Sequence, residues 1–260
     1  MSTQNPLLQK IKLPGRTFQL PSRAALYHNG EVDAPNGEVH VFPMTALAEI
    51  NLKNPDLLFN GKALEAVLGE CVPAVKQPLE LFGRDIDALL FFLRIATYGS
   101  EFRVEVKHSC ENAKQHSYVV QLEEIVQRMQ MLDPTMVEQK RAIVLPGLDQ
   151  TVYTRPMKFK DVIELFHKSG NKKELSVDDI KELAISNMLS MIEKVDDVTD
   201  RGFIEEWLKT LTSPQMNRIQ DAANQLNGWG PDQVVSLKCK DCGEEMSVEL
   251  PLNPVSFFTE

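Results

Sequence analysis

Alternating apolar and polar residues occur in two parts of the chain. In the first part, residues 104–107 and 116–120 alternate, and in the second part residues 235–238 and 244–250 do the same. Because successive side chains of a strand point to opposite faces of a sheet, this pattern predicts β-strands. A short polar segment that contains cysteine joins the two strands of each pair. The pattern therefore predicts two strand–turn–strand units, one central and one near the C-terminus.

Helical spacing of apolar residues appears between residues 44 and 99. Thr45 can cap a helix that runs to about Lys53. A longer pattern begins at Asp85 and ends at Gly99, and its apolar residues form a wide stripe. We therefore predict amphipathic helices that bury one face in a core.

The spacing becomes helical again from Lys158 to about residue 228. Ser176, with Asp179 three residues later, approximates a capping box for a helix that runs to about Val195. Ser213 precedes a proline, which is typical of the start of another helix. We interpret this block as a helical lobe between the two strand–turn–strand units.

The N-terminal region carries turn signals instead of long apolar patterns. Asn29-Gly30 and Asn36-Gly37 are two-residue sequences that accept positive φ, and the second leads into the alternating residues 38–42. Such turns favour antiparallel hairpins.

The second strand–turn–strand unit carries Cys239 and Cys242, and a glycine follows the second thiol. This spacing is typical of half a zinc-ribbon site, in which a tight turn directs both sulfurs to one metal. Tetrahedral Zn²⁺ needs two further ligands, and the central unit offers candidates. We predict Cys110 and His116 as the second pair, with His108 as the substitute for His116. A closed site of this kind would hold a structural Zn²⁺.

Two other interpretations of the thiols stay open. A redox dithiol normally opens a helix, whereas residues 244–250 alternate like a strand. The thiols could also be packed without metal, because the central half of the site is irregular. Cys71, at the end of a predicted helix, is interpreted as a small core residue.

These elements predict an α+β fold. Its core is a zinc-ribbon-like antiparallel sheet, and a mainly helical lobe is inserted between the two ligand halves. We divide the chain into four segments. Residues 1–43 form an N-terminal extended and hairpin segment, and residues 44–156 form a helical and β core with the first ligand half. Residues 157–230 form the helical lobe, and residues 231–260 form the C-terminal ribbon half.

Composition narrows the classes of function. The 260 residues are 43% hydrophobic, which is enough for a sizeable core. The formal charge of −9 disfavours a surface that binds nucleic-acid phosphates. Residues 1–9 lack the apolar core of a signal peptide, and no apolar run approaches membrane-spanning length. We therefore expect a cytosolic chain whose four cysteines are reduced, with neither nucleic acid nor membrane as a partner.

The common catalytic motifs are absent from the sequence. The sequence contains no phosphate-binding P-loop, dinucleotide fingerprint, nucleophile elbow or His-Glu-x-x-His pair. We therefore predict that the protein is not an enzyme. Two alternatives from other classes are a zinc-dependent hydrolase with an open metal position and a nucleic-acid-binding zinc-ribbon adaptor.

Several stretches resemble a known family. They are Gly83 to Ser100, the thiol-bearing strand pair that follows, Thr154 to Asp161, and the Cys-x-x-Cys-Gly ribbon that ends in Phe257-Phe258. Together they resemble the baseplate-hub assembly proteins of contractile-tailed, T-even-like bacteriophages, over roughly residues 40–258. The sequence departs from a paired ribbon at Ala113, where a second thiol after Cys110 is expected.

The resemblance implies a non-enzymatic protein of the virion tail baseplate, assembled in the host cytoplasm. Its partners would be hub, spike and tape-measure proteins, and a homo-oligomer within a symmetric baseplate is compatible with this role.

Trp229, in a glycine-rich turn, is interpreted either as an interface anchor or as a side chain that folds back over the ribbon.

Overall fold

The computed structural model describes residues 14–54, 61–110, 114–169, 176–252 and 257–258. Ala113 and the first 13 residues of the predicted N-terminal segment lie outside these ranges. Within them the strands are β1 (Arg16–Gln19), β2 (Glu38–Val41), β3 (Glu101–Lys107), β4 (Gln115–Gln121), β5 (Ala142–Val144), β6 (Thr151–Thr154), β7 (Ile192–Val195), β8 (Val234–Lys238) and β9 (Glu245–Glu249). The helices are α1 (Ala46–Leu52), α2 (Lys62–Cys71), α3 (Gly83–Tyr98), α4 (Leu122–Arg128), α5 (Pro134–Lys140), α6 (Phe159–Ser169), α7 (Val177–Met191), α8 (Arg201–Leu208) and α9 (Ser213–Leu226), with a 3-10 turn at Pro78–Glu80.

The predicted α+β class is confirmed, with helices and small antiparallel sheets. Strands β1 and β2 pair, β3 pairs with β4, β8 pairs with β9, and β5, β6 and β7 form a three-stranded sheet. The two predicted strand–turn–strand units are thus the hairpins β3–β4 and β8–β9, each a separate two-stranded sheet. The turn at Asn36-Gly37 is also confirmed, because Gly37 has a φ of +71° and leads directly into β2.

Helix α3 lies at the centre of the largest hydrophobic cluster. Leu89, Phe91, Phe92 and Leu93 are fully buried on it. Gly99 follows the helix with a φ of +87°, a conformation that costs glycine little, and the chain then enters β3. The predicted helix from Asp85 to Gly99 is therefore confirmed, and it buries apolar side chains around most of its circumference.

Phe257 and Phe258 also belong to this cluster. The Phe257 ring meets the rings of Phe91 and Phe102 at centroid distances of 5.4 and 5.1 Å. The Tyr98 hydroxyl donates a hydrogen bond to the Phe258 carbonyl oxygen at 3.2 Å. Aromatic pairs of this kind add to the free energy of burial. The first half of the chain and residues 257–258 therefore share one core.

A second hydrophobic cluster is formed by residues between Ile143 and Ala222. Strands β5 to β7 and helices α7 to α9 contribute its buried members, among them Ile143, Val152, Ile192 and Ile219. The limits of the four predicted segments stay a prediction. None of the helices in the described ranges combines the length and apolarity needed to cross a lipid bilayer.

One helix ends earlier than predicted. The capping box of Ser176 and Asp179 is present at the start of α7, but the helix ends at Met191. Residues 192–195 instead form β7, which pairs with β6. Ile192 and Val195 are buried in the second cluster, so packing against the sheet outweighs local helix propensity there. The predicted helix end at Val195 is therefore wrong.

Trp229 is a core residue of a third, smaller cluster. Its side chain is 3% exposed and packs edge-on against Phe82, with a centroid distance of 6.2 Å. Its indole N–H donates to the Leu226 carbonyl oxygen at 2.8 Å. Leu132 and Val137 complete the cluster. The interpretation of Trp229 as an interface anchor is therefore wrong, and its neighbours in this cluster belong neither to β3–β4 nor to β8–β9.

Candidate metal centre

The hairpin β3–β4 delivers one half of the site. Phe102 and Val104 on β3 and Tyr118 and Val120 on β4 are buried, so the two strands share one face that packs on the large core. Because side chains alternate along a strand, burial of this face places the intervening side chains on the opposite face of the hairpin. The chain leaves β3 after Lys107, and the connection to β4 begins with His108-Ser109-Cys110.

The turn between β8 and β9 delivers the other half. The Cys239 amide donates to the Glu244 carbonyl oxygen at 2.8 Å, and the Gly243 amide donates to the Cys239 carbonyl oxygen at 2.9 Å. Gly243 has a φ of +78°, a conformation that glycine adopts without strain. The tight turn brings both thiols to one side. Cys239 is buried against the core and Cys242 is exposed.

Four side chains from the two hairpins converge. The ligand atoms of His108, Cys110, Cys239 and Cys242 all lie within 4.8 Å of one another. The Cys110 and Cys239 sulfurs are 3.9 Å apart, and the Cys242 sulfur is 3.4 Å from Nδ1 of His108. Ligands at Zn–S of about 2.3 Å and Zn–N of about 2.0 Å in a tetrahedron are separated by roughly 3.8 Å between sulfurs and 3.5 Å between sulfur and nitrogen. The two measured separations match these values, and the group of four side chains could hold a metal ion.

The thiols differ in their acid–base character. Hydrogen bonding from the Cys242 backbone amide is the largest influence on the Cys239 thiol and lowers its pKa to about 7, against a smaller effect of burial. Burial raises the pKa of the Cys110 thiol to about 12, and the neighbouring sulfurs of Cys242 and Cys239 act in the same direction. Three thiolates this close repel one another, so a cation between them would favour their common deprotonation.

Among the predicted ligands, His116 lies outside this group. Its Nε2 is 2.8 Å from Oδ1 of Asp241, the residue before Cys242. Oδ2 of Asp241 accepts a hydrogen bond from the Lys114 amide at 2.9 Å. That amide, followed by His116, holds the pKa of the Asp241 carboxyl below its usual range. His116 therefore contacts the turn that carries the thiols, and His108, the predicted substitute, lies within the group.

One signal in the sequence pointed to His108. When Val-x-Val-Lys of residues 104–107 is aligned with Val-x-Leu-Lys of residues 235–238, His108 falls at the position of Cys239. The two hairpins present ligands at equivalent points after their first strands. Cys71, the remaining thiol, is buried in the core, and burial raises its pKa to about 12, as expected for a neutral packing residue.

A second pair of functional groups was not predicted, although it lies within a stretch that carries the family resemblance. Arg155 meets Asp161 through two hydrogen bonds, at 2.7 and 3.0 Å. Oδ2 of Asp161 also accepts a hydrogen bond from the Lys158 amide at 2.8 Å. Asp161 lies in the first turn of α6 and is buried, so the pair fastens the connection after β6 to this helix.

The α+β chain thus carries a compact set of three thiols and one imidazole, a donor set that is typical of structural metal sites. A family model described as "T4 bacteriophage base plate protein" matches residues 43–259, and the chain belongs to this family. No curated protein and no solved structure matches the chain. Membership indicates a structural, non-enzymatic protein of the phage tail baseplate, with other tail proteins as partners.

Proposed function

We propose that the chain is a zinc-stabilised structural subunit of the hub region of a phage tail baseplate. It works during tail assembly by binding other hub, spike or tape-measure components. The observation that carries the proposal is the match to the baseplate family over residues 43–259, together with the His108, Cys110, Cys239 and Cys242 group.

Zinc is the metal that the donor set favours. Thiolates select soft or borderline cations, and a set of three sulfurs and one imidazole is common in structural zinc sites. In the proposed site the metal joins the tips of two hairpins, whose Cys110 and Cys239 are 129 residues apart in the sequence. The second hairpin thereby closes a zinc-ribbon-like unit with the central hairpin. Four protein ligands leave no open position for water, which argues against the zinc-dependent hydrolase. The net charge of −9 argues against the nucleic-acid adaptor.

Partner contacts are best supported on the helices after β6. Phe166 on α6, Ile180 on α7 and Phe203 on α8 are 45, 55 and 65% exposed. Exposed large apolar side chains on successive helices are typical of protein interfaces. With Trp229 buried in the core, these residues replace it as the proposed contacts.

The metal is tested by elemental analysis of protein purified without added zinc. We expect about one zinc per chain in the wild type and loss of zinc in Cys110→Ser, Cys239→Ser and His108→Ala. Cys71→Ala is the matched control, because it removes a buried thiol outside the group and should retain the metal. Metal-free wild-type protein would refute the site.

Assembly is tested by complementing a phage that lacks the gene and counting the chain in purified tails. We expect Phe203→Asp to fold normally, to retain its zinc and to be absent from tails. Leu47→Asp, at a position that is 69% exposed on α1, is the control for adding a charge to an exposed apolar site. Incorporation of both variants at wild-type levels would contradict the proposed contact surface.

A further inference from the structure

The two residues between the thiols of the second hairpin both contact strand β4. The Lys240 amide donates to the Tyr118 hydroxyl at 3.2 Å, and Nζ of Lys240 donates to the Ser117 carbonyl oxygen at 2.7 Å. The ammonium group also lies 4.9 Å from the centre of the Tyr118 ring, within the range of a cation–π contact. Lys240 thus makes three contacts with two consecutive residues of one strand.

Asp241 contacts the start of the same strand. Its two carboxylate oxygens lie against two different groups, the His116 ring at 2.8 Å and the Lys114 amide at 2.9 Å. The side chains of Asp241 and His116 are about three-quarters buried, with exposed fractions of 25 and 26%. Partial burial strengthens such a charge-assisted hydrogen bond relative to a pair in open solvent.

None of these contacts uses an atom of the four candidate ligands. They join the same two hairpins on the same side as the ligands do, over sequence separations of 122 to 127 residues. A turn that depended on metal alone for its position would not need them. We propose that Lys240 and Asp241 form a metal-independent latch that fastens the turn of residues 239–243 to β4, so that the thiols are positioned before any metal binds.

The latch has a consequence for the metal. When ligands are already positioned, the free energy of ordering them does not have to be supplied by the metal–ligand bonds. Groups that hold ligating side chains from outside typically change metal affinity by about 10- to 100-fold when they are removed. The expected change in metal affinity rests on the proposed ligand set, whereas the fastening of the turn to β4 does not.

The fastening is tested first, in chelator-treated protein, by amide hydrogen exchange of residues 239–243. In Asp241→Ala we expect exchange about tenfold faster than in the wild type, because one or two hydrogen bonds of ordinary strength are lost. Asp232→Ala is the matched control. Asp232 is the same residue type just before the same hairpin, and it accepts a hydrogen bond from the nearby Val234 amide at 2.9 Å. Equal exchange in Asp241→Ala and wild type would overturn the latch.

His116→Ala removes the partner on β4 without altering the turn, and it guards against a folding defect specific to Asp241→Ala. Its exchange should rise by less than that of Asp241→Ala, because the contact of Asp241 with the Lys114 amide remains. The double variant should exchange no faster than Asp241→Ala, because both substitutions remove the same contact between Asp241 and His116. Additive effects in the double variant would show that the two residues act separately and would overturn their pairing.

The second test is zinc affinity, measured by competition with a chromophoric chelator. We expect Asp241→Ala and His116→Ala to bind zinc about 10- to 100-fold more weakly, still at one ion per chain, and Asp232→Ala to match the wild type. The Co²⁺ spectrum should keep the charge-transfer bands of three thiolates in both variants. Loss of stoichiometric binding in His116→Ala would make His116 a ligand and overturn the latch. Absence of zinc binding in the wild type would refute the proposed function, and the exchange test would still decide the latch.

Discussion

Asp85 is a fully buried carboxyl group in the first turn of α3. One of its oxygens accepts a hydrogen bond from the Ser22 amide at 3.1 Å, and the other accepts one from the Tyr27 hydroxyl at 2.6 Å. Burial is the larger effect and raises the pKa of Asp85 from its ordinary value of 3.8 to about 6, while the two hydrogen bonds act in the opposite direction. The folded state therefore binds this proton more tightly than the unfolded state.

The magnitude follows from the shift. About two pKa units at 1.36 kcal/mol each correspond to about 3 kcal/mol. Because the pKa is raised in the folded state, this contribution to stability is fully present below about pH 4. It is lost as the pH rises to about 6, and it does not change further above that value. Asp85→Asn carries no titrating group, so its stability relative to the wild type should rise by about 3 kcal/mol between pH 4 and pH 7.

The assay is urea unfolding of both proteins at half-unit steps of pH, followed by tryptophan fluorescence. The difference between the two free energies of unfolding cancels the contributions of other carboxyl groups. Glu80 is one of these. Burial alone would raise its pKa, but the contacts with Lys158 and Lys160 together outweigh burial and lower the pKa, so its contribution to stability is lost as the pH falls. Asp178→Asn removes an exposed charge from α7 and is the control for net charge.

Two results would refute this reasoning. The first is a difference in the free energy of unfolding between Asp85→Asn and the wild type that stays constant from pH 4 to pH 7, which would mean that burial does not shift the pKa of Asp85. The second is a loss of stability of Asp85→Asn relative to the wild type as the pH rises, which would mean that the hydrogen bonds from Ser22 and Tyr27 outweigh burial.

Three further predictions concern the core and the buried ion pair. Phe257→Ala should lower the free energy of unfolding by about 3 to 5 kcal/mol in urea, because the ring packs against Phe91; a loss below about 1 kcal/mol would contradict its place in the core. Trp229→Ala should cost a similar amount while the folded variant still enters tails; a stable variant that fails to assemble would restore Trp229 as an interface residue. Asp161→Asn should lower the free energy of unfolding by about 3 kcal/mol or more, because it leaves the guanidinium of Arg155 poorly paired. Thermal unfolding of Asp161→Asn, of a variant of Arg155 and of the double variant would measure the coupling between the two side chains, and fully additive losses would contradict the pair.

Local patterns predicted the elements that depend on local interactions. Thr45 caps α1 by accepting a hydrogen bond from the Ala48 amide at 3.2 Å, and Ser176 forms the capping box of α7. Gly99 ends α3, as its freedom to adopt positive φ indicated. Each of these signals involves residues within one or two turns of one another, so the sequence alone was sufficient.

Selection between His108 and His116 could not be made in this way. Both histidines flank the turn that follows β3, and both are close enough in sequence to Cys110 to complete a site. The choice depends on how the β8–β9 turn docks, because Asp241 meets His116 while Cys242 faces His108. That docking joins residues more than a hundred positions apart. The alignment of residues 104–107 with residues 235–238 favoured His108, but it carries no information on which surfaces meet.

By itself the sequence determined the α+β class, the helices with strong caps, the two thiol-bearing hairpins and the resemblance to the baseplate family. Tertiary structure alone decided the end of α7 at Met191, the burial of Trp229 and the four side chains that converge. The physical reason is the range of the interactions. Caps and strand alternation act between near neighbours, whereas burial and ligand convergence depend on which surfaces meet when the chain closes on itself.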